Sequence, residues 1–204
     1  MNNTCMANPI YLFAGTEIGE RSSAVAKIKN SITKQYGTVD FHNLYVPSNS
    51  VQQVLSLLQT GNLFMNALCV VLNNAEELKK ADDIEQIVKW ASEESSFPSF
   101  LILTSDAYSI NKKIENIIPK TQKQVFWEMF ENKKKEWIRS FFAKKKIKIT
   151  DDAIESILQL VENNTQALKI SCSHLSLFFD EGAVVSENNI EELLSHTKEE
   201  TPFT

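Results

Sequence analysis

The sequence holds little that turns or breaks a chain: five glycines and five prolines among 204 residues. Such counts leave small room for a turn-rich all-β fold or a long disordered tract. Cysteine is equally scarce. Cys5, Cys69 and Cys172 are odd in number and far apart, so no disulfide framework is expected and a reducing cytoplasm fits. No apolar run approaches the roughly 18 residues of a membrane span, and residues 1–15 lack the basic start and apolar stretch of a signal peptide. His42, His174 and His196 share no spacing that would gather a metal. There is no Gly-x-Ser-x-Gly elbow and no paired-carboxylate signature, so neither a cofactor nor enzymatic chemistry is expected. What remains is 43% hydrophobic and 23% charged, the composition of a cytoplasmic chain with one large domain or two small ones.

Charge is unevenly placed. The net is −5, yet residues 131–148 carry eight basic side chains against Glu131 and Glu136. Residues 149–204 carry eleven acidic groups against Lys169 and Lys198. Such a field marks a boundary between units or a local contact with an acidic partner.

Apolar periodicity divides the chain. Ile10–Ala14, Val39–Val46, Leu68–Leu72, Phe100–Thr104 and Gln124–Trp127 read as strands. Between them Val25/Ile28/Ile32, Val51/Val54/Leu55/Leu58 and Ile84/Ile87/Val88/Ala91 recur at helical spacing. Alternation of this kind predicts an α/β doubly wound parallel five-stranded sheet. After residue 131 strand signals almost vanish. Trp137/Ile138/Phe141/Phe142, Ile154/Ile157/Leu158/Val161 and Ala167/Leu168/Ile170/Leu175/Phe178 predict inward helical stripes, and a further helix starts at Ser186 or Glu187. The expected division is a core at 1–131 and a helical unit at 132–197.

The first strand-to-helix turn, residues 14–22, is where such a sheet would hold phosphate. A phosphate loop needs G-x-x-x-x-G-K-[ST]. Counting from Gly15, the second glycine becomes Glu20 and the lysine Arg21; counting from Ala14, the lysine becomes Glu20. Either register sets a carboxylate near the phosphate oxygens, and the resulting repulsion is costly. After the third strand, where an acidic pair would hold Mg²⁺ and activate water, stand Asn73 and Asn74. Nucleotide hydrolysis is not expected.

These features together resemble the bacterial DNA polymerase III delta subunit, a clamp-loader component. The likeness runs through Y-L-F-A-G at 11–15, Q-T-G-N-L-F at 59–64, L-C-V-V-L-N-N-A-E-E-L at 68–78, F-L-I-L-T-S-D-A at 100–107 and I-K-I-T-D-D-A at 147–153. It implies an AAA+-type core followed by a small helical lid domain, with residues 198–204 leading toward a collar domain that the sequence does not include. It further implies a subunit of the holoenzyme that is itself no enzyme. Gln166 stands where active relatives commonly place a sensing arginine, and no four-cysteine zinc module can form.

The resemblance also implies a site. Leu63 and Phe64, with Gln59 four residues before Leu63, match an apolar tip that enters a pocket on the sliding clamp (the beta subunit), with Asn62 and Met65 flanking it. Implied partners are that clamp, the delta-prime and ATPase motor subunits, and primer–template DNA in the assembled complex. Lys133, Lys134, Lys135, Arg139, Lys144, Lys145 and Lys146 are candidates to face that DNA, although lysines opposite an apolar stripe also describe an ordinary solvated helix. Two other readings stay open from the sequence: a degenerate nucleotide-binding switch acting through residues 14–22, and a DNA-binding accessory protein acting through residues 133–148.

Overall fold

The apolar runs of the first half become the interior strands of one parallel sheet. The structure, a computed structural model, describes residues 8–60, 64–95, 97–161 and 164–199. In chain order the core holds β1 (Ile10–Ala14), α1 (Ile18–Tyr36), β2 (Val39–Tyr45), α2 (Val51–Thr60), β3 (Ala67–Asn73), α3 (Ala81–Ser92), β4 (Ser99–Ser105), α4 (Lys112–Ile117) and β5 (Lys123–Val125). The sheet runs β2-β3-β4-β1-β5 with every pairing parallel.

Burial follows from that order. β4 is buried along its whole length and β3 up to Asn73, as strands covered on both faces must be. β2, at the edge, alternates between half-buried and exposed residues. One face of the sheet buries Leu68, Val70, Leu72, Leu101 and Leu103 against Val54, Leu58, Ile87 and Trp90 of α2 and α3. The other packs Phe13, Cys69, Val71, Phe100 and Ile102 against Ile32 of α1 and Phe126. Each fully buried side chain of this kind contributes about 1.5–3 kcal/mol.

Two details differ from the sequence reading. β5 ends at Val125, so Phe126 turns into the core while Trp127 is exposed. The short α4, capped by Asn111 through the Lys113 N–H, has no counterpart in that reading, because six residues leave too little periodicity to register.

The chain divides after Trp127 into two compact units, against an expected boundary at 131. The second contains α5 (Glu131–Lys144), β6 (Lys148–Ile149), α6 (Asp151–Leu160), α7 (Thr165–Leu175), β7 (Val184–Val185) and α8 (Glu187–Glu199). Thr150 caps α6 by accepting from the Ala153 N–H at 3.3 Å, and Asn164 caps α7 by accepting from Ala167 at 2.8 Å. Its core is Ile138, Phe142, Ile154, Ile157, Leu168, Cys172, Leu175, Val185 and Ile190. Ile170 and Phe178, expected inside, are exposed. The inward stripe of α7 runs 168, 172, 175, which turns position 170 outward, and Phe178 falls in a 3-10 turn beyond the helix. The two-residue β6–β7 ladder is likewise absent from the sequence reading, since strands so short carry no period. Among the described residues, no helix is long and apolar enough to cross a membrane.

Candidate functional site

The turn between β1 and α1 is built around Gly15. Its φ is +111°, and a Cβ there would lie 2.1 Å from the Phe126 carbonyl oxygen, so backbone occupies the space a side chain would need. The Gly15 N–H donates to the carbonyls of Ser105 and Ala107, both at 3.0 Å. Two residues on, the Glu17 N–H donates to the Phe126 carbonyl at 3.4 Å. The loop is thereby sewn to the ends of β4 and β5.

Glu17 caps α1. The residue is 1% exposed, and its carboxylate accepts from the Gly19 N–H at 3.2 Å. The positive end of a helix and its unsatisfied N–H groups form an anion site, and here the chain supplies its own anion. The sequence reading places Glu20 in this region; the structure turns Glu20 to solvent and buries Glu17 instead. The period of α1 explains this, since Glu17 is the cap and Glu20 lies on the outer face of the first turn.

Arg21, where a phosphate loop would carry lysine, is also turned inward. Its Nη1 donates to the Gly15 carbonyl at 2.6 Å and to the Ser105 carbonyl, while Nη2 pairs with Asp106. A planar fork suits this task, because a single guanidinium can span the ends of two strands. Beside the loop, Thr16 Oγ1 and the Tyr108 hydroxyl share a hydrogen bond at 3.0 Å, and Tyr108 stacks on Trp127 with ring centroids 4.2 Å apart.

The end of β3 is equally committed. Thr104 Oγ1 donates to Asn73 Oδ1 at 2.7 Å, and Asn73 Nδ2 donates to Asn43 Oδ1 and to the Leu44 carbonyl. Asn74 adopts a left-handed conformation with φ +60°, which asparagine tolerates well. Both amides serve the sheet. Among the described residues, no group of three or more His, Cys, Asp or Glu is placed to hold a metal ion. Cys69 and Cys172 are buried, and burial pushes both thiols up to about 12.

The apolar tip follows α2. Gln59 is exposed in the last helical turn, and Phe64 is 87% exposed, while Met65 is half-buried. Asn62 and Leu63 lie outside the described residues. The tip stands on a fixed base. The Asn66 N–H donates to the Thr38 carbonyl at 2.9 Å, its Nδ2 donates to the Tyr36 carbonyl at 2.8 Å, and buried Ser99 Oγ donates to the Leu58 carbonyl at 2.8 Å.

The basic segment does not form one open face. Lys134 is 1% exposed and donates to Glu128 Oε1 at 3.0 Å, which corrects its assignment as a DNA-facing residue. The cause is helical phase: positions 134, 138 and 142 share the buried stripe of α5, a spacing visible in the sequence. Lys133 pairs with Glu136 at 3.1 Å, Lys135 with Glu155 at 2.6 Å, Lys146 with Glu181 at 2.8 Å, and Arg139 with Asp151. The hydrogen bond to Glu155 raises the Lys135 ammonium above its ordinary value. Lys144 is exposed, and the Lys145 ammonium lies 5.7 Å from the Phe141 ring centroid. Four of the seven candidates thus meet a carboxylate at the surface of their own unit.

No family model matches the chain, and no curated protein matches it in sequence. Solved structures do match. The Bacillus subtilis DNA clamp loader delta protein YqeN is 13% identical with a TM-score of 0.53, covering 92% of this chain and 58% of that one. The Thermotoga maritima RuvB Holliday junction branch migration motor is 12% identical with a TM-score of 0.59, covering 93% and 61%. Domain III of the Thermotoga maritima replication initiation protein DnaA is 11% identical with a TM-score of 0.55, covering 95% and 86%. The chain therefore spans less than two thirds of the clamp-loader and RuvB chains. At these identities the likeness is one of architecture, and the architecture of this chain is the AAA+ fold, a five-stranded parallel sheet followed by a small helical domain.

Proposed function

We propose that the chain is a non-catalytic, clamp-loader-type subunit that binds a DNA sliding clamp and helps to open it during replication, while polymerase and ATPase activities reside in other subunits. The observation that carries the non-catalytic half is the self-filled phosphate loop: Glu17 stands at the α1 N-terminus and Arg21 is committed to Gly15 and Ser105. Clamp binding draws support from the exposed Phe64 on a hydrogen-bonded base, together with an architecture that includes a clamp loader delta protein among its likenesses. Leu63 joins Phe64 in this reading on sequence grounds, with Gln59, Asn62 and Met65 at the rim. An aromatic anchor entering a dry pocket would contribute about 1.5–3 kcal/mol, and such anchors dominate interfaces. Delta-prime and motor subunits would be its neighbours in the assembly.

Surface plasmon resonance with a sliding clamp tests this, comparing the native chain with Phe64→Ala and with Leu63→Ala/Phe64→Ala. The expected result is binding by the native chain and a loss of about tenfold or more in the variants, equivalent to about 1.4 kcal/mol, with circular dichroism unchanged. A native chain that ignores the clamp, or variants that bind equally well, would overturn the reading.

A further inference from the structure

Along the β2 edge of the sheet, some backbone groups meet no partner among the described residues. The even-numbered residues of β2 face β3: the Thr38 carbonyl accepts from Asn66, and the Val46 N–H donates to the Asn73 carbonyl at 3.1 Å. The odd-numbered residues therefore turn their N–H and C=O outward, since the two directions alternate along a parallel strand. At one end that outward pair is taken, because the Tyr45 N–H donates to Asn49 Oδ1 at 3.1 Å and its carbonyl accepts from the Asn49 N–H at 2.8 Å. At the other end the Gly37 N–H is bonded to the Thr33 carbonyl at 2.8 Å. Between them, the outward backbone groups of Val39, Phe41 and Asn43 meet no partner among the described residues.

The same edge is open beside α2. Asp40, His42 and Leu44 line a cleft of about 760 Å³ with Gln53, Leu57 and Thr60. On the opposite face Phe41 is exposed, with the Lys29 ammonium 5.3 Å from its ring centroid. Donors and acceptors alternating at strand spacing are satisfied by another strand.

We propose that this edge pairs, antiparallel, with the β2 edge of a second copy of the chain, about a two-fold axis at Phe41. The register singles out a copy of itself. With the axis at Phe41, Val39 opposes the second copy's position 43, and Phe41 opposes its own counterpart. All the outward groups are then used, and none of those already taken is needed. In that register each Asp40 stands directly opposite position 42 of the other copy, a histidine, twice by symmetry. The spacing there is the closer cross-strand one, about 4.5 Å between Cα atoms. An acidic group opposite an imidazole is a favourable cross-strand pair. Within one chain His42 Nε2 already lies 3.2 Å from Asp40 Oδ2, so the dimer gathers two such pairs into one alternating cluster. Moving the axis to Asp40 sets two carboxylates face to face and calls on Gly37; moving it to His42 opposes two imidazoles and calls on Tyr45. A surface that complements itself in one register is the mark of an isologous dimer. The inference is independent of the clamp contact.

Sedimentation over a wide concentration range, with backbone amide exchange read by NMR, tests it on the intact chain. The mass is expected to rise from 23.2 kDa toward twice that value, and the amides of Val39, Phe41 and Asn43 to slow together as it does. His42→Asp would oppose carboxylates and weaken association about tenfold, or 1.4 kcal/mol. Asp40→Lys combined with His42→Asp would restore it, which separates lost pairing from lost folding. In a Cys5→Ser background, Phe41→Cys would form a disulfide across the axis, where a Cα separation of about 5.5 Å lies within the bonding range. A chain that stays monomeric throughout, association indifferent to His42→Asp, or a Phe41→Cys variant that does not cross-link would each overturn the proposal. An edge reserved for a different protein gives the first of these results.

Discussion

The guanidinium of Arg21 lies 2.6 Å from the carbonyl oxygen of Gly15, six residues earlier, and the same nitrogen reaches the Ser105 carbonyl on β4. A residue at the position of a phosphate-binding lysine thus ties two neighbouring strands at their carboxyl ends. Arg21→Ala takes the guanidinium from both carbonyls and leaves Ser105 with the Gly15 N–H alone, a loss of about 1–3 kcal/mol. Arg21→Lys should fall between native and alanine, because an ammonium lacks the fork that spans both oxygens. Urea unfolding followed by tryptophan fluorescence checks the order. An alanine variant as stable as the native chain would show that the guanidinium contributes nothing.

The filled helix terminus makes a second expectation definite. ATP should give no thermal stabilisation of the native chain, nor of Arg21→Lys or Glu17→Gln, alone or together. Restoring the lysine does not release the N–H groups of Gly15 and Glu17 from the carbonyls of Ser105, Ala107 and Phe126. Saturation at a hundred times a dissociation constant would add about 2.7 kcal/mol, easily seen by differential scanning fluorimetry. A clear ATP-dependent rise in the native chain would mean that the loop opens for nucleotide.

The two buried thiols predict an alkaline limit. Both are raised from an ordinary value of 9.0 to about 12 by burial. Their folded forms stay protonated where an unfolded thiol ionises, so the stability they contribute is complete below about pH 9 and is lost as pH rises toward 12. Cys69→Ala/Cys172→Ala, less stable at neutral pH, should lose less between those limits. Denaturant midpoints measured across that range decide it, and identical pH slopes for both proteins would refute it.

Lys134 and Lys135 are adjacent and opposite in consequence. Lys134→Ala empties a buried site on the α5 stripe and should cost about 2–4 kcal/mol. Lys134→Met keeps the stem and should be far milder, since Glu128 is half exposed and can turn to water. Lys135→Ala removes a surface pair with Glu155 and should leave the unfolding midpoint in place. Comparable losses at both positions would contradict the burial difference.

Much of this protein was legible in the chain. The continuous apolar runs at 68–72 and 100–104 read as central strands, which they are, and residue type alone showed Arg21 in the lysine position of the loop and two amides, Asn73 and Asn74, after the third strand. The stripe of α2 follows from local periodicity. Three-dimensional placement decided the rest. Which carboxylate fills the helix terminus, Glu17 rather than Glu20, depends on where the cap falls when the loop is bonded to Ser105 and Phe126. Ile170 turns outward because the buried stripe of α7 runs through 168, 172 and 175. The open edge of β2 exists only once the order β2-β3-β4-β1-β5 is set. Sequence specifies local preference and charge at each position, whereas long-range pairing decides which of those groups are consumed within the fold and which remain for a partner.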